Sequence, residues 1–424
     1  MVTRIDLINQ HEDTDPTPYE LAKLGFREYW YPIYSSREVG KKPKGTTLLG
    51  DPVVFIRGSR DNKVYALADE CVHRGTLLST GIGCEFPRTN TVTCPYHGWT
   101  FDLESGMCVA VLPEGPESEV PGKLRTRTYP VEERQGIIWI WMGNMTPVPL
   151  EEDVPKHILR SDTEVRMVNR LFRGNWRWHA ENVLAGHAEM IHYSAPRTWF
   201  NKMYQPGLPA LPELVEEADG IGIRQMLGSR PGGGAQRPLS RTADFPGLGT
   251  WKKLPWWREH FFSRLIPAKL LRSPFPQNGD WGVDGFLEML PGIFRSPHPP
   301  AQLYYEWYIP VDEDHYIYLQ MNCWQKKGWF RDMRMNIRWY LWGKAMQILF
   351  NNQDASFVGQ TSNYVKRTGN WQYLTKLTRN DDYHVMWRRY VNENARGVGY
   401  AWQPATQQKM ISEIDPLKTH ADVG

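Results

Sequence analysis

The feature that most constrains this chain is a pair of short segments, each of which offers one thiol and one imidazole. Cys-Val-His occupies positions 71–73, and Cys-Pro-Tyr-His follows after twenty residues at 94–97. Such a donor set suits a [2Fe–2S] cluster in which two cysteines bind one iron and two histidines bind the other. The neutral imidazoles raise the reduction potential far above that of an all-cysteine cluster. The predicted cluster ligands are Cys71, His73, Cys94 and His97.

The residues around the two segments support this interpretation. Gly75 and Gly98 follow the two loops and let backbone N–H groups approach the cluster sulfides. A zinc site with two Cys and two His is a competing interpretation, but such sites usually have CxxC and HxxxH spacing. Unrelated buried Cys and His residues are a second alternative, although they would not fall beside matched glycines. Three further cysteines lack a partner motif and are predicted to be buried: Cys84, Cys108 and Cys323.

Length, charge and cysteine usage exclude several classes of protein. The 424 residues suffice for two domains. A net charge of +3 without long basic runs gives no indication of nucleic-acid binding. No run of about 18 apolar residues predicts a membrane span, and the first residues do not resemble a signal peptide. An odd number of cysteines, five, argues against a disulfide framework and favours the cytoplasm.

The hydrophobic pattern changes character along the chain. Up to about Met142, short apolar runs between turn residues predict strands, at 52–56, 64–67, 91–94 and 137–141. Three prolines mark 146–155 as a linker. Beyond it we expect helices over 172–192 and 329–358. Two alternating segments, 304–310 and 316–324, predict antiparallel strands joined by a turn at 312–315, and the Gly- and Pro-rich segment 205–255 predicts a long loop.

The second half also carries the residue types of a mononuclear iron site. His187 and His192 are five residues apart, and Asp354 lies far downstream on an amphipathic stretch. Two histidines and one carboxylate can bind Fe(II) on one side and leave positions open for O₂ and substrate. Residues five apart on a regular helix differ by about 140° in direction, so a helix end or a π-bulge must separate the two histidines. Without the first motif, both would pass for ordinary helix residues.

Several segments of the chain resemble one known family. CVHRG at 71–75 and CPYHGWTFD at 94–102 are very similar to the signature of Rieske non-haem iron aromatic-ring-hydroxylating oxygenases, although the interval between them is longer than usual. Four further segments look most like the branch of carbazole dioxygenases and 2-oxoquinoline monooxygenases; they are residues 24–38, 175–182, 305–320 and 350–357.

The resemblance implies an α+β chain in which an all-β Rieske domain precedes a helix-grip catalytic domain of antiparallel sheet and helices. We expect an N-terminal segment packed on the catalytic domain (1–25), the Rieske domain (26–145), the linker (146–155) and the catalytic domain (156–424). The family also implies a homotrimer and a mononuclear Fe(II) beside the [2Fe–2S] cluster. Its electrons come from NAD(P)H through a reductase and usually a ferredoxin.

One departure from the family pattern concerns the path of the electron. The family usually has an Asp about three residues before the first iron histidine, where it bridges the two metal sites across a subunit boundary. Leu184 and Ala185 stand there in this chain. Four nearby polar residues can take over the bridge, with the first two favoured: Glu181, Asn182, His179 and Glu189. Neighbours of the iron ligands are candidate pocket walls or core residues: Val183, Leu184, Phe350 and Asn351.

Together these features predict a terminal oxygenase that uses O₂ and two electrons to hydroxylate a small organic substrate, expected to be aromatic. Monohydroxylation, dihydroxylation and oxidative O- or N-demethylation all remain open, because the outcome depends on which substrate atom faces the iron. A Rieske-type electron carrier is the main alternative, although it would need only about the first hundred residues. A catalytically inactive binding protein on the same fold is the third hypothesis.

Overall fold

The protein is represented by a computed structural model, which describes residues 16–84, 87–182, 212–225, 285–296, 303–369 and 381–397. Its backbone divides into two compact units. The first unit contains residues 24–153 and 310–312, together with Arg396 and Gly397. The second contains the described residues of 16–23, 154–309 and 313–395.

The first unit is built from three small antiparallel sheets. Their strand orders are β1-β11-β10, β2-β3-β4-β9 and β5-β6-β7-β8. The strands are β1 Trp30–Ser35, β2 Lys44–Leu48, β3 Asp51–Arg57, β4 Val64–Ala68, β5 Ile82–Cys84, β6 Thr91–Thr93, β7 Trp99–Asp102, β8 Cys108–Val111, β9 Thr128–Tyr129, β10 Val131–Arg134 and β11 Ile137–Trp141. Short 3-10 turns cover Ser36–Glu38, Leu78–Thr80 and Gly115–Glu117, and helix α2 covers Leu150–Asp153. All four strands predicted for this region are confirmed.

One buried apolar cluster of the first unit includes both motif cysteines. Cys71 and Cys94 pack with side chains from β3, β4, β6 and β7, among them Val54, Leu67 and Phe101. Cys108 belongs to the same cluster and is buried as predicted. The sheets therefore hold the start of each motif loop inside the core.

The second unit centres on a seven-stranded sheet of order β12-β18-β17-β16-β15-β14-β13. The strands are β12 Thr163–Arg173, β13 Glu213–Glu217, β14 Gly220–Gln225, β15 Phe286–Met289, β16 Ile293–Ser296, β17 Leu303–Pro310 and β18 His315–Gln325. The helices are α1 Pro18–Leu21, α3 Lys156–Leu159, α4 Trp176–Asn182, α5 Trp329–Arg338, α6 Lys344–Thr368 and α7 Asp382–Asn394, with a π-helical turn, Trp339–Gly343, between α5 and α6. The predicted order, a β unit followed by a sheet with helices, is confirmed.

Three sequence predictions for this unit need correction. Phe172 and Arg173 end strand β12, and Gly174, with φ of +123°, separates that strand from a helix that begins only at Trp176. The helix predicted over 329–358 extends to Thr368 and contains the π-helical turn. Within the loop predicted over 205–255, residues 213–225 form the hairpin of β13 and β14. The remaining residues of that segment lie outside the described ranges.

Helix α4 and the two C-terminal helices are joined by buried contacts. α4 packs against α6 and α7, and α6 also packs against strand β12. None of the described helices has both the length and the apolar character needed to cross a membrane.

Candidate functional site

The two motif loops of the first unit have the same backbone hydrogen bonds. The N–H of Cys71 donates to the carbonyl of Thr76 at 2.9 Å, and that of Gly75 donates to the carbonyl of Cys71 at 2.8 Å. In the second loop the N–H of Cys94 donates to Trp99 at 2.8 Å, and that of Gly98 donates to Cys94 at 3.1 Å. Each loop therefore makes one tight turn that starts at its cysteine and closes within five residues.

The glycines are needed because both turns use left-handed backbone. Gly75 has φ of +70° and Gly98 has φ of +68°, a region that side chains with a Cβ rarely enter. From the sequence, both glycines are expected to allow close approach of the backbone to the cluster. The structure adds that both allow the chain to reverse after the histidine.

The turns place the cysteines in the protein interior and the histidines closer to the solvent. Cys71 and Cys94 are buried, with 3% and 2% of their surfaces exposed, whereas His73 is exposed and His97 is half-buried. The two imidazole rings lie together, 4.6 Å apart between centroids, and His73 stacks on the indole of Trp99 at 4.9 Å. The loops therefore bring together a buried thiol pair and a solvent-facing imidazole pair.

The electrostatics of these side chains fit a bound [2Fe–2S] cluster. Burial, together with the neighbouring Cys94, raises the pKa of the Cys71 thiol to about 12. Two thiolates in this environment therefore need a positive partner, which the iron of a cluster supplies. Burial and the charges of His73 and Arg74 lower the pKa of His97, and this favours the neutral imidazole that binds metal.

In the second unit, the structure joins two of the predicted iron-site residues. Asp354 on α6 is buried, and its Oδ1 accepts a hydrogen bond from Nδ2 of Asn182, the last residue of α4, at 2.9 Å. The amide thus orients the carboxylate. A carboxylate held in this way fits an Fe(II) ligand.

Both predicted iron-binding histidines and several neighbouring candidates cannot be placed in this site. His187, His192, Val183, Leu184 and Glu189 lie outside the described residues. Within the described ranges, no group of three or more His, Cys, Asp or Glu side chains forms a site for a metal ion.

A network of buried hydroxyls, absent from the sequence analysis, lies beside Asp354. Asn351, three residues before it on α6, is buried and donates to the hydroxyls of Tyr304, at 3.1 Å, and Tyr318. The hydroxyls of Tyr318 and Tyr308 donate to Glu306. Burial raises the pKa of Glu306 to about 8. Phe350, the other predicted pocket residue on α6, is half-buried.

The period-2 pattern of the strands could have indicated this network. Tyr304, Glu306 and Tyr308 alternate along β17, and Tyr316, Tyr318 and Gln320 alternate along β18. Polar residues at every second position of buried strands predict a polar patch on one sheet face.

Glu181, one of the two favoured bridging residues, has hydrogen-bond partners within the second unit. Its carboxylate accepts two hydrogen bonds from the guanidinium of Arg388, at 2.6 and 2.9 Å, and one from the hydroxyl of Tyr19 at 2.9 Å. Burial acts to raise the pKa of Glu181, but the charge and hydrogen bonds of Arg388 outweigh it and lower the pKa. Both oxygens are therefore used within the second unit, and the geometry favours a structural role over a bridge.

His179, another bridging candidate, also has a partner inside the unit. Its Nδ1 lies 2.5 Å from the hydroxyl of Tyr316, and its ring stacks on Tyr308 at 4.6 Å. Asn182, by contrast, contacts a predicted iron ligand, Asp354, through its side chain.

Comparison with known families gives two adjacent matches. Residues 29–130 match the Rieske [2Fe–2S] domain, and residues 141–203 and 262–399 match the homotrimeric ring hydroxylase family. The chain is 30% identical over 400 residues to the terminal oxygenase component of carbazole 1,9a-dioxygenase from Metapseudomonas resinovorans, covering 90% of this chain and 94% of that protein.

Solved structures give the same result for the fold. The terminal oxygenase of carbazole 1,9a-dioxygenase from Novosphingobium sp. KA1 matches with a TM-score of 0.69 and 27% identity, covering 90% of this chain and 96% of the other. An oxygenase in complex with the ferredoxin of carbazole 1,9a-dioxygenase matches with a TM-score of 0.69 and 25% identity, covering 90% and 93%.

Proposed function

We propose that this chain, which belongs to the Rieske non-haem iron ring-hydroxylating oxygenases, is a terminal oxygenase that uses O₂ and electrons from NAD(P)H to hydroxylate an aromatic substrate. The observation that carries this proposal is the pair of matched loops. They combine two buried thiols with two adjacent, solvent-facing imidazoles, a donor set suited to a Rieske cluster.

The four motif side chains have separate tasks. Cys71 and Cys94 would hold one iron and neutralise its charge inside the core, while His73 and His97 would hold the other. The exposed histidine edges can exchange a proton with solvent or with a partner when the charge of the site changes. The stack of His73 on Trp99 fixes the orientation of one imidazole.

In the second unit, His187, His192 and Asp354 are the proposed Fe(II) ligands. Asn182 holds the Asp354 carboxylate by its amide hydrogen bond and so acts as a positioning residue. When bound, the cluster supplies single electrons and the Fe(II) activates O₂ for attack on the substrate. Phe350 and Asn351, with Val183 and Leu184, are the proposed pocket walls. Apolar walls exclude water from this site and orient the ring.

The partners and the assembly follow from the family. Its name describes a homotrimer, and a related oxygenase forms a complex with a ferredoxin. We expect a ferredoxin and an NAD(P)H-dependent reductase to supply the electrons. We also propose a cytoplasmic location, since none of the four cysteines with described side chains, Cys71, Cys94, Cys108 and Cys323, forms a disulfide.

The domain boundaries proposed from the sequence are 1–25, 26–145, 146–155 and 156–424. Tyr19 of α1 supports the first of these, because its hydroxyl bonds to Glu181 in the second unit. The helix α2 lies within the segment proposed as the linker.

Iron content and product analysis test this function together. The purified chain should contain three irons, should consume O₂ only with a reduced ferredoxin and an aromatic substrate, and should release a hydroxylated product. Two irons per chain with electron transfer but no product would identify an electron carrier instead. Substrate binding without any metal would identify a binding protein.

A further inference from the structure

Among the described residues of the second unit, Glu288 has a buried carboxyl without a hydrogen-bond partner. Glu288 on β15 has 0% of its surface exposed, and neither carboxyl oxygen has a hydrogen-bond partner in the part of the chain that the structure describes. Its cross-strand neighbours are Ile223 and Phe294, and the ring of Phe294 stacks on that of Phe286 at 5.6 Å. A carboxyl in such apolar surroundings is costly to bury unless a ligand completes its hydrogen bonds.

The opposite face of the same sheet shows how this fold satisfies buried charges elsewhere. Arg295 on β16 pairs with Glu217 at 2.6 Å and Asp219 at 3.2 Å, and Tyr305 donates to Asp219 at 2.8 Å. Glu288, in contrast, has no hydrogen-bond partner at either carboxyl oxygen among the described residues.

That face also carries the network beside the proposed iron ligand. Phe294 lies opposite both Glu288 and Glu306, so the two carboxyls belong to one row of side chains. Glu306 is linked through Tyr318 to Asn351, three residues before Asp354. Glu288 and Glu306 are two strands apart, which corresponds to about 10 Å. A two-ring aromatic molecule can span this distance.

The surroundings of Glu288 favour its neutral form. Burial raises the pKa of Glu288 well above its usual range, and the charges of Glu181 and Glu306 raise it further. A neutral carboxyl has one hydroxyl donor and one carbonyl acceptor side by side.

We propose that Glu288 recognises the substrate of this oxygenase and takes a cis-amide group, a primary carboxamide or a lactam, on an aromatic ring. The amide N–H donates to the Glu288 carbonyl and the Glu288 hydroxyl donates to the amide oxygen, so both unpartnered oxygens are satisfied. This inference rests on the proposed function, because it assigns the sheet face beside Asp354 to the substrate.

Anaerobic binding to the iron-loaded trimer, measured by calorimetry, tests the inference without turnover. The probes are three naphthalene derivatives. 2-Naphthamide can donate and accept hydrogen bonds, its methyl ketone analogue 2-acetylnaphthalene can only accept them, and 2-naphthylmethylamine is a cation. The variants are Glu288→Gln, which keeps a donor and an acceptor, and Glu288→Leu, which removes both. Glu216→Leu, on the exposed part of edge strand β13, is the matched control.

We expect 2-naphthamide to bind the wild-type protein roughly 10–100-fold more tightly than the ketone. Glu288→Leu should lose this preference, while Glu288→Gln and Glu216→Leu should keep it. Since Glu288→Leu also removes an unsatisfied buried group, its Tm should rise by roughly 2–4 °C without ligand.

Two results would overturn the inference. If Glu288→Gln loses as much affinity as Glu288→Leu and the amine binds best, Glu288 is ionised and takes a cation. If the wild-type protein binds all three probes equally, Glu288 does not contact the ligand, and this wild-type result stands even where a variant does not fold. Hydroxylation of any aromatic compound by the same preparation would leave the proposed function intact, whereas Glu288-dependent binding without any hydroxylation would count against the function alone.

Discussion

The two proposed metal sites of this chain are constructed in different ways. The cluster ligands lie between Cys71 and His97, in two loops that close with their own backbone hydrogen bonds. The iron-site contact between Asn182 and Asp354 joins residues 172 positions apart and depends on the packing of α4 against α6. A local site can tolerate changes elsewhere in the molecule. A site assembled from distant elements depends on the fold that brings them together.

The largest expected effect is on the local site. Replacing His73 with Cys should lower the reduction potential of the cluster by on the order of hundreds of millivolts, because a thiolate donates more negative charge than an imidazole. The measurements are a redox titration and the electron paramagnetic resonance spectrum of the reduced protein, which should shift toward an all-thiolate type. Cys108→Ser, which alters a buried cysteine outside the motif, should leave both unchanged. A wild-type spectrum that is already all-thiolate would contradict the assignment.

Loss of the proposed iron site, which is assembled from distant segments, should leave the cluster in its two local loops intact. Asp354→Ala should abolish turnover and reduce the iron content to two per chain, while the visible absorbance of the cluster persists. The reason is that Asp354 lies in the second unit and the cluster ligands lie in the first. Asn363→Ala, an exposed position on the same helix, is the control. Loss of both metals together would indicate that Asp354 supports the fold instead.

The cluster loops are local in the sequence and the iron site is not, so the sequence predicts the first better than the second. The ligand types, spacing and glycines of the cluster loops are local, so Gly75 and Gly98 could be assigned before their positive φ values were known. Four of the eleven strands of the first unit, β3, β4, β6 and β11, could be predicted for the same reason. The hydrogen bond from Asn182 to Asp354 could not be predicted, since nothing in either segment specifies the other. Glu181 was favoured together with Asn182 as the bridge, because the sequence shows the charge of Glu181 but does not show that Arg388, 207 residues away, binds it.

A third prediction distinguishes two roles for Glu181, stabilisation of the folded protein and electron transfer between the metal sites. Glu181→Gln should destabilise the protein by about 3–5 kcal/mol, because it removes the buried negative charge that pairs with the half-buried guanidinium of Arg388. Urea unfolding measures this loss. Glu393→Gln, which breaks the exposed pair with Arg389, should cost only about 0.3–0.5 kcal/mol.

The pH dependence of stability provides a second test of the structural role of Glu181. Its pKa in the folded protein is lowered, so its contribution is present above the unfolded pKa of about 4.3 and is lost as the pH falls below it. The wild-type protein should therefore lose more stability than Glu181→Gln on acidification below about pH 4.3. Unchanged stability with slower electron transfer between the metals would restore the bridging role.

The smallest expected effect concerns Asn182, which acts on the metal only through Asp354. Asn182→Ala should weaken iron binding by about 10–100-fold, the usual cost of removing a residue that orients a metal ligand. Competition with an iron chelator measures this affinity directly, without turnover. Asn352→Ala, on the exposed face of α6 where its side chain accepts from Arg170, should bind iron like the wild-type protein. An unchanged iron affinity in Asn182→Ala would mean that α6 alone fixes the Asp354 carboxylate. The orientation of this ligand would then depend on its own helix and not on the distant helix α4.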